Sequence, residues 1–243
     1  MIGNFNSDTK VLSICHPVEI KTNYHDSNTI VTIIKGDKMN FIEELKEQRW
    51  DDHRYYHHSR INQSLHFLSA ICFLFSYVFL FINPILTVIF GWLLAMGLRQ
   101  SGHFFFEPLE YDEVNQATQE HKEAIKVGFN LQRKIVLISV WLCSPVLVFF
   151  TPDLLGTLAS YTDTYSFIYN VSILWIAVGA AGLLFRTIHL FFIKGVQSGL
   201  VWFTKIITDP YHDIKIYHKS PLHLFRGEML DPMHHVSGQT ASH

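Results

Sequence analysis

Four stretches without a charged side chain constrain this chain more than any other feature. Residues 65–82 are uncharged over 18 positions, residues 84–98 follow after Asn83 alone, and residues 135–150 form a third stretch. Residues 166–193 form a fourth, interrupted late by Arg186 and His189. A membrane-crossing helix needs about 20 apolar residues. The first stretch nearly meets that alone, the second does so by running on through residues 104–106, and the third needs its flanks. The fourth is long enough to tilt or to end near Arg186. Burial of all four in a water-soluble bundle is the competing expectation. Four such stretches between residues 65 and 193 exceed what a soluble domain of this size requires.

Charge placement supplies an orientation. Of 19 Lys and Arg, 18 fall within 1–64, 99–134 and 194–243, and the other is Arg186. The links at 83 and 151–165 hold none. By the positive-inside rule, both termini are expected in the cytosol. The expected architecture is an all-α integral membrane protein with four transmembrane helices. It comprises a polar segment 1–38, a cytosolic amphipathic helix 39–64, a first hairpin 65–106 and a cytosolic helical connection 107–134. A second hairpin 135–193 and an interfacial helix, cap and tail 194–243 complete it. Asn40 followed by Glu43 reads as the start of the amphipathic helix. Residues 1–38 lack the basic, apolar and small-residue succession of a signal peptide. The net charge of −2 argues against a nucleic-acid partner. Three cysteines, Cys15, Cys72 and Cys143, exclude a disulfide scaffold and a four-cysteine zinc site.

The 15 histidines follow the same division: 13 lie in the three basic segments, His66 at the mouth of the first span and His189 near the end of the fourth. Imidazoles gathered at one face are what a metal site between helices needs. The densest run is His53-Arg54-Tyr55-Tyr56-His57-His58-Ser59-Arg60-Ile61-Asn62-Gln63-Ser64-Leu65-His66. On one continuous helix, His58, Asn62 and His66 share a stripe while His57 lies on the opposite side from His66. A break at Ser59 would instead turn His57 back toward His66. The second cluster, Gly102-His103-Phe104-Phe105-Phe106-Glu107, puts His103 and Glu107 on one helix face. A tight hairpin then brings His66 and His103 to the same membrane level. Glu107 there can ligate a metal, orient His103 or move a proton.

These two clusters resemble the membrane 2-hydroxy fatty acid dioxygenases of α-oxidation and their bacterial relatives. Members carry Tyr-His, four residues, Asn, three residues and His at the mouth of the first span. After a hairpin they carry Gly-His-x-x-x-Glu. The matching positions are Tyr56, His57, Asn62 and His66, then Gly102, His103, Phe106 and Glu107, all within about residues 50–108. Residues 108–113 depart from the Arg-Pro-Ala segment usual in the family, and the second hairpin lies outside the match. The resemblance implies Fe(II) and O2 as cofactor and co-substrate, and cleavage between C1 and C2 of a 2-hydroxy fatty acid. It implies His57, His66 and His103 as ligands, with Asn62 and Glu107 orienting them or the substrate. The substrate is then a lipid or fatty acid held in the bilayer. The site lies on the cytosolic face of an endoplasmic reticulum or bacterial inner membrane.

Further candidates are His58, His121 in a charged helical stretch, and His212 and His218 in the proline-punctuated run 208–223, read as a cap over the site. Arg186 either meets a substrate carboxylate or snorkels to the interface. Two other classes compete. A di-iron hydroxylase or desaturase is suggested by His53-x-x-x-His57-His58, against the lack of an HxxHH box. A non-catalytic metal- or haem-binding membrane protein would use His66, His103 or His189 as axial ligands.

Overall fold

A computed structural model describes residues 39–107, 111–112, 115–127 and 131–232. The polar segment 1–38 and the tail histidines His234, His235 and His243 lie outside the described residues. Regular structure among the described residues is entirely helical. Extended pairing is confined to two single bridges, Ser59 with Leu230 and Asp112 with Ala117.

Helix α1 (Phe41–Tyr56) begins directly after Asn40, where the capping pattern places its start. It stops at Tyr56, and α2 (Arg60–Phe79) begins beyond Ser59, whose backbone is extended. A short turn leads to α3 (Pro84–Val88), a π-helical segment Ile89–Met96 and α4 (Gly97–Phe105), which together form one apolar rod. Asn83 starts that rod: its side-chain oxygen accepts from Ile85 N at 2.9 Å and Leu86 N at 3.2 Å. Pro84 fits there because the first helical turn needs no N–H from it. Hydroxyls link the two arms of this hairpin. Ser69 Oγ donates to Ala95 O at 2.8 Å and Ser76 Oγ to Thr87 O at 3.0 Å, so neither is left unpaired among apolar side chains.

The second half comprises α5 (Gln119–Ile125), α6 (Leu131–Phe150), α7 (Thr164–Ile193), α8 (Val196–Tyr217) and α9 (Ser220–Phe225). Asp163 and Ser166 form a reciprocal capping box at the start of α7. Trp175 Nε1 donates to Ser144 Oγ at 2.9 Å, and the Trp141 and Trp175 rings lie 4.4 Å apart, which ties α7 to α6. Trp92 joins them, 5.5 Å from Trp141, and packs so tightly on Gly179 that a Cβ there would fall 2.2 Å from its ring. Among the described residues, three helices are long and apolar enough to cross a membrane: Arg60–Phe79, Pro84–Phe105 and Thr164–Ile193. The apolar part of α6, Lys134–Phe150, is shorter. At 1.5 Å per residue it reaches about 25 Å, against about 30 Å of hydrocarbon.

The largest difference from expectation is α8. The sequence suggests an interfacial helix ending near residue 208 and a separate cap punctuated by prolines. Instead one 22-residue helix runs through Pro210 and packs against α2, α7 and α1. Continuity puts Lys205, Asp209, Asp213 and Tyr217, four residues apart, on a single buried stripe. The stripe is charged but paired. Lys205 Nζ bonds Asp52 and lies 3.1 Å from Asp209, and Arg49 Nε lies 3.4 Å from Asp209. Burial disfavours the Lys205 charge, but Asp209 and Asp52 outweigh it and hold its pKa above the ordinary value.

Breaking a buried pair leaves the remaining charge uncompensated. K205M is therefore expected to cost about 3 kcal/mol, the low end of the usual range because Arg49 still faces Asp209. A thermal unfolding midpoint in detergent that does not fall would contradict this account.

Candidate metal centre

The break between α1 and α2 builds the site. A helix end leaves carbonyls without partners, and here each of three successive carbonyls finds one. Asn62 Nδ2 donates to Tyr56 O at 2.8 Å, Gln63 Nε2 to His57 O at 2.8 Å, and Asp231 N to His58 O at 2.8 Å. Arg60 N donates to Met229 O at 2.9 Å, so the C-terminal segment closes the turn from the far side. Asp231 also takes Gln63 Nε2 at 2.9 Å and Arg60 Nη1 at 3.0 Å. Ser59 occupies the N-cap position without a side-chain cap bond; the neighbours supply the pairing.

With the chain reversed, His57 returns to His66. Their Nε2 atoms are 3.2 Å apart. His103, from the end of the hairpin's second arm, completes a trio, with ring centroids 5.3 Å from His57 and 5.0 Å from His66. One ligand atom from each imidazole lies within 4.8 Å of the other two, so the group could hold a metal ion. It is the one such group among the described residues. His57 and His66 are buried. Burial and the neighbouring imidazoles His66 and His103 push the His57 pKa well below its ordinary value, so its ring is neutral, the form that ligates metal.

Glu107 sits behind His103. Its Oε2 is 2.7 Å from His103 Nδ1 and its Oε1 is 3.3 Å from Lys126 Nζ. Burial works against its ionisation, but the His103 bond and Lys126 outweigh it and hold its pKa below the ordinary carboxylate value. Of the three roles open to Glu107 in the sequence, this placement matches orientation: the carboxylate holds Nδ1 and leaves Nε2 as the nitrogen available to a metal. Asn62 is wholly buried and serves the turn through Tyr56 O. A Cβ at Gly102 would lie 2.1 Å from Asn62 Oδ1, so Gly is required where α4 passes it.

The other candidates are engaged elsewhere. His58 faces away: its Nε2 bonds Arg54 O and lies 3.3 Å from Asp112 Oδ2. His121 is exposed, edge-on to Tyr55. His218 Nδ1 is 3.0 Å from Lys215 O. His212 lines a cavity of about 20 Å³ between α1 and α8, reached also by His57, Arg99 and Tyr217. Arg186 donates to Val127 O through Nε at 3.1 Å and lies 2.9 Å from His189 Nδ1, away from the trio.

Sequence reasoning missed three groups beside the trio. Tyr217 packs edge-on to His57 and His66 at 5.8 and 6.3 Å, with its hydroxyl 2.9 Å from His53 Nδ1. Burial, reinforced by Asp213, raises its pKa far above the ordinary phenol value and keeps it protonated. Asp213 and Arg99 are the other two. The available signal was the spacing of Lys205, Asp209, Asp213 and Tyr217, legible as one stripe only if Pro210 does not end the helix.

Replacing His57, His66 or His103 by Ala is expected to remove the bound metal, whereas H121A and H218A leave it in place; metal analysis of detergent-purified protein checks this. G102A is expected to displace Asn62 from Tyr56 O, costing about 1–3 kcal/mol for the lost buried bond and weakening metal retention. No protein-family model matches the chain, and no curated protein or solved structure is detectably similar to it.

Proposed function

We propose that this chain is a membrane-bound, Fe(II)-dependent dioxygenase acting on a 2-hydroxy fatty acid or similar lipid, shortening it by one carbon. The observation that carries the reading is the trio His57, His66 and His103, the first two buried and the third half-buried, at the mouth of an apolar helical hairpin. Two nitrogens bound at about 2.1 Å to one ion, at tetrahedral or octahedral angles, stand about 3.0–3.4 Å apart. The 3.2 Å between His57 Nε2 and His66 Nε2 falls in that interval.

Three neutral imidazoles would hold the ion and leave positions open, and Fe(II) there supplies coordination and redox chemistry for O2 and a chelating hydroxyl–carboxylate pair. The chain's own residues do the rest. Glu107 fixes the His103 tautomer, with Lys126 keeping that carboxylate charged. Tyr217 closes the site with a protonated phenol. The apolar faces of the hairpin hold the acyl chain, so only the polar head reaches the histidines. In this reading the protein has four spans with both termini in the cytosol, and the site opens on the cytosolic face of an endoplasmic reticulum or bacterial inner membrane.

A di-iron hydroxylase draws less support. It needs several more histidines at the centre, and His58, His121 and His218 have other neighbours. Haem between His66 and His103 is disfavoured by their ring centroids 5.0 Å apart, too close to admit a macrocycle between them, and His189 lies against Arg186.

Purified protein in lipid nanodiscs, loaded with Fe(II) and given a long-chain 2-hydroxy acid in air, is expected to release the acid one carbon shorter. H66A is expected to lower turnover at least about 100-fold, the scale of losing one essential catalytic interaction. Retention of one iron without any chain-shortened product would sink the substrate assignment while leaving the metal site standing.

A further inference from the structure

The geometry points to Asp213 as a positioning residue for the metal centre, accepting the Nδ1–H of His66 and so directing His66 Nε2 toward His57 and His103. This rests on reading the trio as a metal site and adds a group from the opposite end of the chain.

His66 is 1% exposed, and its Nδ1 has no partner at hydrogen-bond distance. The group facing it is Asp213 Oδ2, at 3.6 Å. On the other side of the ring, Nε2 meets His57 Nε2 at 3.2 Å. The two ring nitrogens of His66 thus face a carboxylate and the trio, respectively. An acceptor on Nδ1 places the proton there and frees the Nε2 lone pair for metal. His103 repeats the arrangement, with Glu107 on its Nδ1. Both span histidines are therefore backed by a carboxylate, one from the local motif and one from α8.

Asp213 is itself held. Arg99 Nη2 bonds the same Oδ2 atom. Arg99 lies one turn before His103, so α4 carries a ligand and the clamp for the other ligand's carboxylate on one face. Asp213 is 6% exposed, in a position where a carboxylate is kept only with a partner. The run Arg99–Asp213–His66 joins α4, α8 and α2. A gap of 3.6 Å closes to hydrogen-bond length with a small ring rotation, as such contacts tighten when a metal fixes the imidazole.

The test is Co(II) titration of the purified full chain in detergent, following visible absorption and affinity, with no substrate present. Loss of an outer carboxylate typically weakens metal binding about 10–100-fold. D213N is expected to fall in that range with one equivalent still bound, and D213E to recover part of the loss. R99Q/D213N separates positioning from charge balance: the double variant is expected to stay as weak as D213N. Wild-type affinity in D213N, or its restoration in the double variant, overturns the proposal. If D213N alone does not fold because Arg99 is left buried and unpaired, the charge-balanced double variant decides by the same criterion. Absence of Co(II) binding by the wild-type protein would instead remove the metal site itself, and this inference with it.

Discussion

The site depends on how the chain satisfies three carbonyls at the end of α1. An unbroken helix from Phe41 to Phe79 would turn His57 away from His66. The break is expensive unless the freed backbone groups are paired. Asn62, Gln63 and Asp231 pair them. Two of these side chains come from the first turn of the next helix, so the polar residues before the first apolar stretch are instructions for the turn. Gln63 in turn accepts from Ser220 Oγ at 2.6 Å and Arg60 at 2.8 Å, which makes it a junction of the turn, α2 and α9.

Much of this was legible from residues alone. The uncharged stretches predict the hairpin, and the hairpin predicts that His66 and His103 meet. A break at Ser59 is one of two readings the His53–His66 run allows, and the structure adopts it. What remained hidden depended on α8. Prolines at 210 and 221 read as punctuation, which sets His212 and His218 in a separate ordered cap. The helix continues through Pro210 because its buried face packs along α2 and α1. On a continuous helix, Asp213 and Tyr217 share the face turned to the trio, while His212 points about 100° away from Asp213. Histidine count was therefore a poor guide in this segment, and four-residue spacing would have been a better one.

The polar interior has a second consequence for specificity. Lys205, Asp209 and Asp52 on one side, and Arg99 with Asp213 on the other, gather charged groups along one buried stripe of α8. Such an interior holds its shape only as a complete set, because each member removed strands another. The trio is thus bordered by charged groups on α1, α8 and the end of α4, and by the apolar stretches of the hairpin. A lipid headgroup and an acyl tail would meet different surroundings at the same centre.

Asp231 lies 168 residues beyond Gln63, whose side chain it holds. During synthesis the two histidines of the first hairpin can already be neighbours while α8, α9 and the strap at Met229–Asp231 do not yet exist. The inner bonds of the His57 turn come from its neighbours Asn62 and Gln63, and only the outer ones, at His58 O and Arg60 N, wait for those late segments. The turn that carries His57 is therefore fastened twice, from within by the residues that follow it and from outside by a strap that comes more than 160 residues later.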